Sequence, residues 1–126
     1  MARFGFPKQA RLRRQRDFQR VFRGGARLKV FPLRVHALPC REGRSRLGLS
    51  ISRRVGGPVV RNRWKRAIRE AFRLNRHRLR APYDLVVSVS WEAEPDRVKD
   101  VPCAFDRVIE ALNGAGSAPE GDDGAD

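Results

Sequence analysis

Apolar residues recur along this chain at two spacings, and the alternation between them divides it into elements. Phe18, Val21 and Phe22 follow one another at i, i+3 and i+4 and Gly24-Gly25 supply a stop, which predicts a short helix over Gln15 to Arg23. Aromatics at that spacing are ordinarily core; partly exposed platforms for stacking bases are the alternative. Two extended runs come next, Arg27 to Val30 and Leu33 to Leu38, joined at Pro32, where a missing backbone donor is tolerated. Leu33, Val35 and Ala37 point one way, Arg34 and His36 the other. Cys40 to Arg46 is a polar turn. Leu47 to Ser52 is the cleanest strand: Leu47, Leu49 and Ile51 alternate with Gly48, Ser50 and Ser52, leaving one face small enough for a ligand to approach. Arg53 and Arg54 close it, and Gly56-Gly57-Pro58 turn the chain into a long helix.

That helix dominates the stretch from Ile51 to Arg80. At about 100° per residue, Val60, Trp64, Ala67, Ile68, Ala71, Phe72, Asn75 and Leu79 form one stripe suited to packing on a core. Opposite lie Asn62, Lys65, Arg66, Arg69, Arg73, Arg76 and Arg80. No carboxylate falls on that face and Glu70 sits at its edge, so six cations are expected to stand together without neutralisation. Like charges at i, i+4 repel by a few tenths of a kcal/mol per pair, and a polyanion would remove that cost. The start of a helix exposes unpaired amide donors and a partial positive charge, so Arg61, Asn62 and Arg63 sit where phosphate oxygens are well received.

Pro82 with Asp84 ends the helix, Leu85 to Ser90 follows as a strand, and Glu92 to Asp96 is a loop. Val101, Phe105, Val108, Ile109 and Leu112 mark a last amphipathic helix from about Asp100. The order helix-strand-strand-strand-helix-strand-helix predicts an α+β sandwich with one modest sheet. If the strands flanking the long helix are parallel neighbours, the general rule favours a right-handed crossover between them. Residues 1–14 are expected to form a basic arm, 15–112 the folded domain, and 113–126, built of Gly, Ala and acidic residues with little else, a disordered tail.

Charge gives the pattern a direction. The net charge is +14, yet residues 1–82 carry 25 of the 28 basic residues and only Asp17, Glu42 and Glu70 as acids. A cationic field concentrated in this way suits a phosphate backbone. Cys40 and Cys103 stand far apart with no Cys-x-x-Cys pair, which fits reduced thiols. No stretch approaches the roughly 20 apolar residues of a membrane span, and the start lacks the apolar core of a secretory signal. A cytoplasmic protein with no membrane partner is expected. Side-chain catalysis is not: the histidines are His36 and His77, the latter near the end of the long helix with no carboxylate near it in sequence, and no spacing suggests metal ligands.

Four blocks carry a family likeness: Asp17-Phe18-x-x-Val21-Phe22-x-x-Gly25, the run Leu47 to Gly56, Arg61-Asn62-Arg63-x-Lys65-Arg66-x-x-Arg69-Glu70-x-Phe72, and Tyr83 to Val87. In that order they resemble the bacterial ribonuclease P protein subunit over roughly Arg11 to Leu112. The resemblance implies a left-handed β-α-β crossover, against the general rule. It implies a protein that assists a catalytic, Mg²⁺-dependent RNA in removing the 5′ leader of precursor tRNA. The ions would be held mainly by RNA and substrate, with no obligate protein partner. It assigns RNA contacts to Arg61, Asn62, Arg63, Lys65, Arg66, Arg69 and Arg73, and a leader cleft to Phe18, Phe22, His36, Ser50, Ser52, Arg53 and Arg54. His36 stands where many members present a tyrosine. Charge alone also permits a structural RNA-binding protein such as a ribosomal component.

Overall fold

A computed structural model describes residues 11–40 and 43–115. Most of the expected basic arm and acidic tail, with Arg41 and Glu42 of the polar turn, lies outside the described residues. The elements are α1 (Gln15–Gly24), β1 (Ala26–Val30), β2 (Leu33–Pro39), β3 (Arg46–Leu49), α2 (Pro58–Asn75), β4 (Tyr83–Val89) and α3 (Val101–Ala115). This is the α+β order that the periodicities predict.

The sheet runs β1-β2-β4-β3. The β1-β2 hairpin and the β2-β4 pair are antiparallel, whereas β3 lies parallel to β4, with α2 as the connection between them. β4 is covered by α2 and α3 on one face and by α1 on the other, so both faces are apolar: Leu85, Val87 and Val89 are buried on one and Val86 on the other.

The sheet separates two unequal cores. On one face Leu33, Val35, Ala37, Leu47, Leu85 and Val87 meet Trp64, Ile68, Ala71 and Phe72 of α2, and Val101, Phe105, Val108 and Ile109 of α3. Trp64, Phe72 and Phe105 are fully buried, each worth about 1.5–3 kcal/mol or more of transfer free energy. On the other face α1 lies over β2 and β4 with only Val21, Leu12 and Val86 buried, backed by Phe18 and Leu38. Arg11, within the expected arm of residues 1–14, bridges Leu47, and the Leu12 amide donates to the Leu47 carbonyl at 2.9 Å.

Several local expectations are corrected. The β3 ladder stops at Leu49, short of Ser52, because Ser52 Oγ accepts from the Arg54 amide at 3.1 Å and caps a 3₁₀ turn over Arg53–Val55. α2 ends at Asn75, whose side-chain amide donates to the Ala71 carbonyl at 2.8 Å and so competes with continuation of the helix. Arg76 to Arg78 form a separate 3₁₀ turn, so Arg76 and Arg80 leave the helical cationic face. The expected loop after Glu92 contains a further 3₁₀ turn over Pro95–Asp100.

Candidate nucleic-acid interface

Burial divides α2 as the wheel requires. With Trp64, Ile68, Ala71 and Phe72 against the sheet, Asn62, Arg63, Arg66 and Arg69 are exposed, and Arg61, Lys65 and Arg73 are half-buried. Arg61 is partly committed, its Nε donating to the Gly56 carbonyl at 3.0 Å and tying the first turn of α2 to the preceding loop. The expectation of an unneutralised face fails at one place. Glu70, three residues from Arg73, takes both its Nη2 at 2.6 Å and its Nε at 3.2 Å. That contact lowers the Glu70 pKa and raises that of Arg73. The cationic stripe is therefore Arg63, Lys65, Arg66 and Arg69, with Arg73 paired at its C-terminal end.

The opposite face of the sheet holds the second group. Phe18, Phe22 and His36 converge there. The Phe22 and His36 rings meet edge to face at 4.9 Å, and Phe22 remains 41% exposed. Phe18 covers Gly48 so closely that a Cβ at that position would stand 2.7 Å from the ring. The small face of β3 thus lets α1 approach, and Phe18 is packed where Phe22 is open. His36 is held below the usual histidine pKa, first by burial and then by the charge of Arg27. Its Nδ1 is buried without a hydrogen-bond partner among the described residues.

Strand register extends this surface beyond the residues that sequence singled out. Lys29 pairs with Arg34, and Arg34 with Ser88, which puts all three on the His36 face one step beyond α1. Ser50 adjoins them, its amide donating to the Val87 carbonyl at 3.0 Å, and it is exposed. The alternation of β2 already set Arg34 beside His36; the pairing that adds Lys29 and Ser88 has no local signal. Ser52, Arg53 and Arg54 follow Ser50 beyond the β3 ladder and are exposed, and the Ser52 hydroxyl is committed to its turn. Arg54 stacks over Trp91 at 4.7 Å from the ring, and both are exposed.

Behind α1, Asp84 is fully buried and accepts from Arg20 Nη2 at 2.8 Å and from Arg46 Nε and Nη2 at 2.9 and 2.8 Å. Burial alone would raise its pKa, but the hydrogen bonds from Arg46 and Arg20 outweigh it and the carboxyl lies below its ordinary value. Among the described residues no three His, Cys, Asp or Glu side chains come together in a way that could hold a metal ion. Among the same residues the buried Asp84 carboxylate is already engaged by two guanidinium groups. No described helix is long and apolar enough to cross a membrane.

The geometry has known counterparts. The Ribonuclease P family profile matches residues 6–113, which include both surfaces. This chain belongs to the ribonuclease P protein family. The protein component from Desulfatibacillum aliphaticivorans is 42% identical over 88 residues, covering 69% of this chain and 74% of that one. The component from Shouchella clausii is 38% identical over 104 residues, covering 81% and 84%. Among solved structures, the RNase P protein of Thermotoga maritima superposes with a TM-score of 0.66 at 27% identity, covering 82% of this chain and 96% of that one. A Staphylococcus aureus RNase P protein mutant superposes with a TM-score of 0.74 at 28% identity, covering 82% and 87%. As a ribonuclease P protein component the chain is part of a tRNA-processing ribonucleoprotein.

Proposed function

We propose that the α2 stripe grips the catalytic RNA of ribonuclease P while the α1 face of the sheet receives the 5′ leader of precursor tRNA. The observation that carries this division is the placement of two cationic surfaces on opposite sides of one sheet. The α2 stripe offers guanidinium and ammonium groups without aromatics, which suits a phosphate backbone. The cleft adds Phe22 and His36 to Lys29, Arg34 and Ser50, a combination of stacking platform and basic track that suits a single strand of any sequence.

The protein's residues bind and orient. Arg63, Lys65, Arg66 and Arg69 meet backbone phosphates of the RNA subunit, the open ring of Phe22 stacks a leader base, and Lys29 and Arg34 pair with flanking phosphates. Hydrolysis of the phosphodiester is left to the RNA, whose Mg²⁺ supplies the metal chemistry. By placing cations between two polyanions, the protein reduces their mutual repulsion and hence the Mg²⁺ concentration at which they associate.

Reconstitution with a bacterial ribonuclease P RNA and a precursor tRNA tests this reading. Cleavage at the mature 5′ end is expected to require less Mg²⁺ with the protein than without it. An unchanged Mg²⁺ requirement would refute the reading.

A further inference from the structure

A third cationic surface lies at the start of α1. A cavity of about 980 Å³ opens there between the segment leading into α1 and the ends of β2, β3 and β4, with Leu38, Pro39, Arg13, Arg14 and Arg16 among its lining residues. Among the described residues Asp17 and Asp84 are the carboxylates that border it, and both are engaged. Asp84 is saturated by Arg20 and Arg46, and Asp17 lies 3.7 Å from Arg20. Arg13, Arg14 and Arg16 are exposed and have no ion-pair partner among the described residues.

We infer that this cavity is a separate phosphodiester-binding site, occupied by an RNA segment other than the one gripped by α2. Three guanidinium groups around one recess repel one another, and planar forked donors match phosphate oxygens two at a time. The volume exceeds what a lone phosphate needs and falls in the range of small-molecule and nucleotide sites. Leu38 and Pro39 offer an apolar surface for a sugar or base edge. The site is not a continuation of the α2 stripe, because α2 packs on the other side of the sheet. Nor is it the open row of the cleft: Pro39 and Asp84 lie at one end of the β2-β4 pair, and Arg34 and Ser88 lie towards the other, with α1 between. The inference rests on the reading that the chain's partners are RNA, and it adds a contact that this reading does not contain.

The phosphodiester could come from the RNA subunit or from the leader, and the test separates them. The full chain carrying R13Q/R14Q/R16Q is compared with R66Q/R69Q and wild type after circular dichroism has confirmed folding. Binding to a bacterial ribonuclease P RNA is measured as a function of salt and by hydroxyl-radical footprinting. Binding of precursor tRNAs with short and long leaders to the holoenzyme follows.

If the site takes the RNA subunit, the triple variant lowers the slope of log K against log salt by about two to three units. It also loses protections at nucleotides that R66Q/R69Q still protects. If the site takes the leader, the slope falls for long-leader substrate alone. Single substitutions, each expected to remove about one unit, keep the test readable if the triple variant does not fold. Unchanged slopes and protections in both arms overturn the inference, as does loss of the same protections in both variants. If R66Q/R69Q is the variant without effect, it is the α2 reading that fails.

Discussion

The contact between α1 and the sheet is expected to depend on Asp84, and Asp84→Asn tests this. The carboxylate is 0% exposed and carries three hydrogen bonds from two guanidinium groups. Breaking a fully buried ion pair from one side costs about 3–5 kcal/mol, mainly because the partner is left charged and dry. Here the Arg20 side chain is 45% and that of Arg46 21% exposed, so both regain water. The expected loss is therefore about 2–3 kcal/mol, equivalent to a fall in Tm of roughly 10–20 °C for a domain of this size. Urea unfolding followed by circular dichroism reads it directly. The sign of the pH dependence follows from the depressed pKa. The stabilisation is present above the unfolded carboxylate value of about 3.9 and is lost as pH falls through the lower folded value. Asp84→Asn should abolish that acid limb. A loss below about 0.5 kcal/mol, against the roughly 2–3 expected here, would refute the reasoning, as would an unchanged acid limb. Replacing all three residues by apolar ones, as D84L/R20M/R46M, should recover much of the loss.

Arg66→Ala and Arg69→Ala should each flatten the salt dependence of RNA binding by about one unit, whereas Arg73→Ala should flatten it less because Glu70 already holds that cation. Equal slopes for all three would mean that the Glu70 contact gives way when RNA binds. Gly48→Ala should displace the Phe18 ring, costing about 1–3 kcal/mol in denaturant unfolding; a neutral result would mean that α1 shifts freely. His36 is held neutral by burial and by Arg27. With a leader in the proposed cleft its phosphates would favour the protonated imidazole, so leader affinity should rise as pH falls towards the lowered His36 pKa. His36→Phe should remove that rise in a binding titration across pH, and persistence of the rise would place the titrating group elsewhere.

What could be read from the sequence was whatever depends on neighbours along the chain. The buried stripe of α2 and the alternation of β2 and β4 follow from side-chain period alone, and the structure buries Trp64, Ile68, Phe72, Val35 and Val87 accordingly. The family blocks also separated this chain from other basic RNA-binding proteins, which charge could not do. What depends on partners distant in sequence was hidden. Asp84 looked like a helix terminator, yet its partners are 38 and 64 residues away. Lys29 and Ser88 join the cleft only through strand register. Glu70 and Arg73 differ in wheel angle, but at i, i+3 their side chains are long enough to meet. Ser52 and Arg54 fall on the expected face, but a turn cap and an indole ring claim them first.

The inequality of the two cores has a dynamic consequence. α2 and α3 interlock with each other and with the sheet, whereas α1 is held by a few apolar contacts and the Asp84 cluster. Amides of α1 should therefore exchange with solvent through a local opening of lower free energy than the global unfolding that β4 requires. The wall of the proposed leader cleft thus rests on the smaller of the two cores. A leader strand bound between Phe22, His36 and Arg34, as proposed, would close that layer from outside, so ligand and tertiary structure would be thermodynamically linked and leader binding should slow exchange in the helix that it touches.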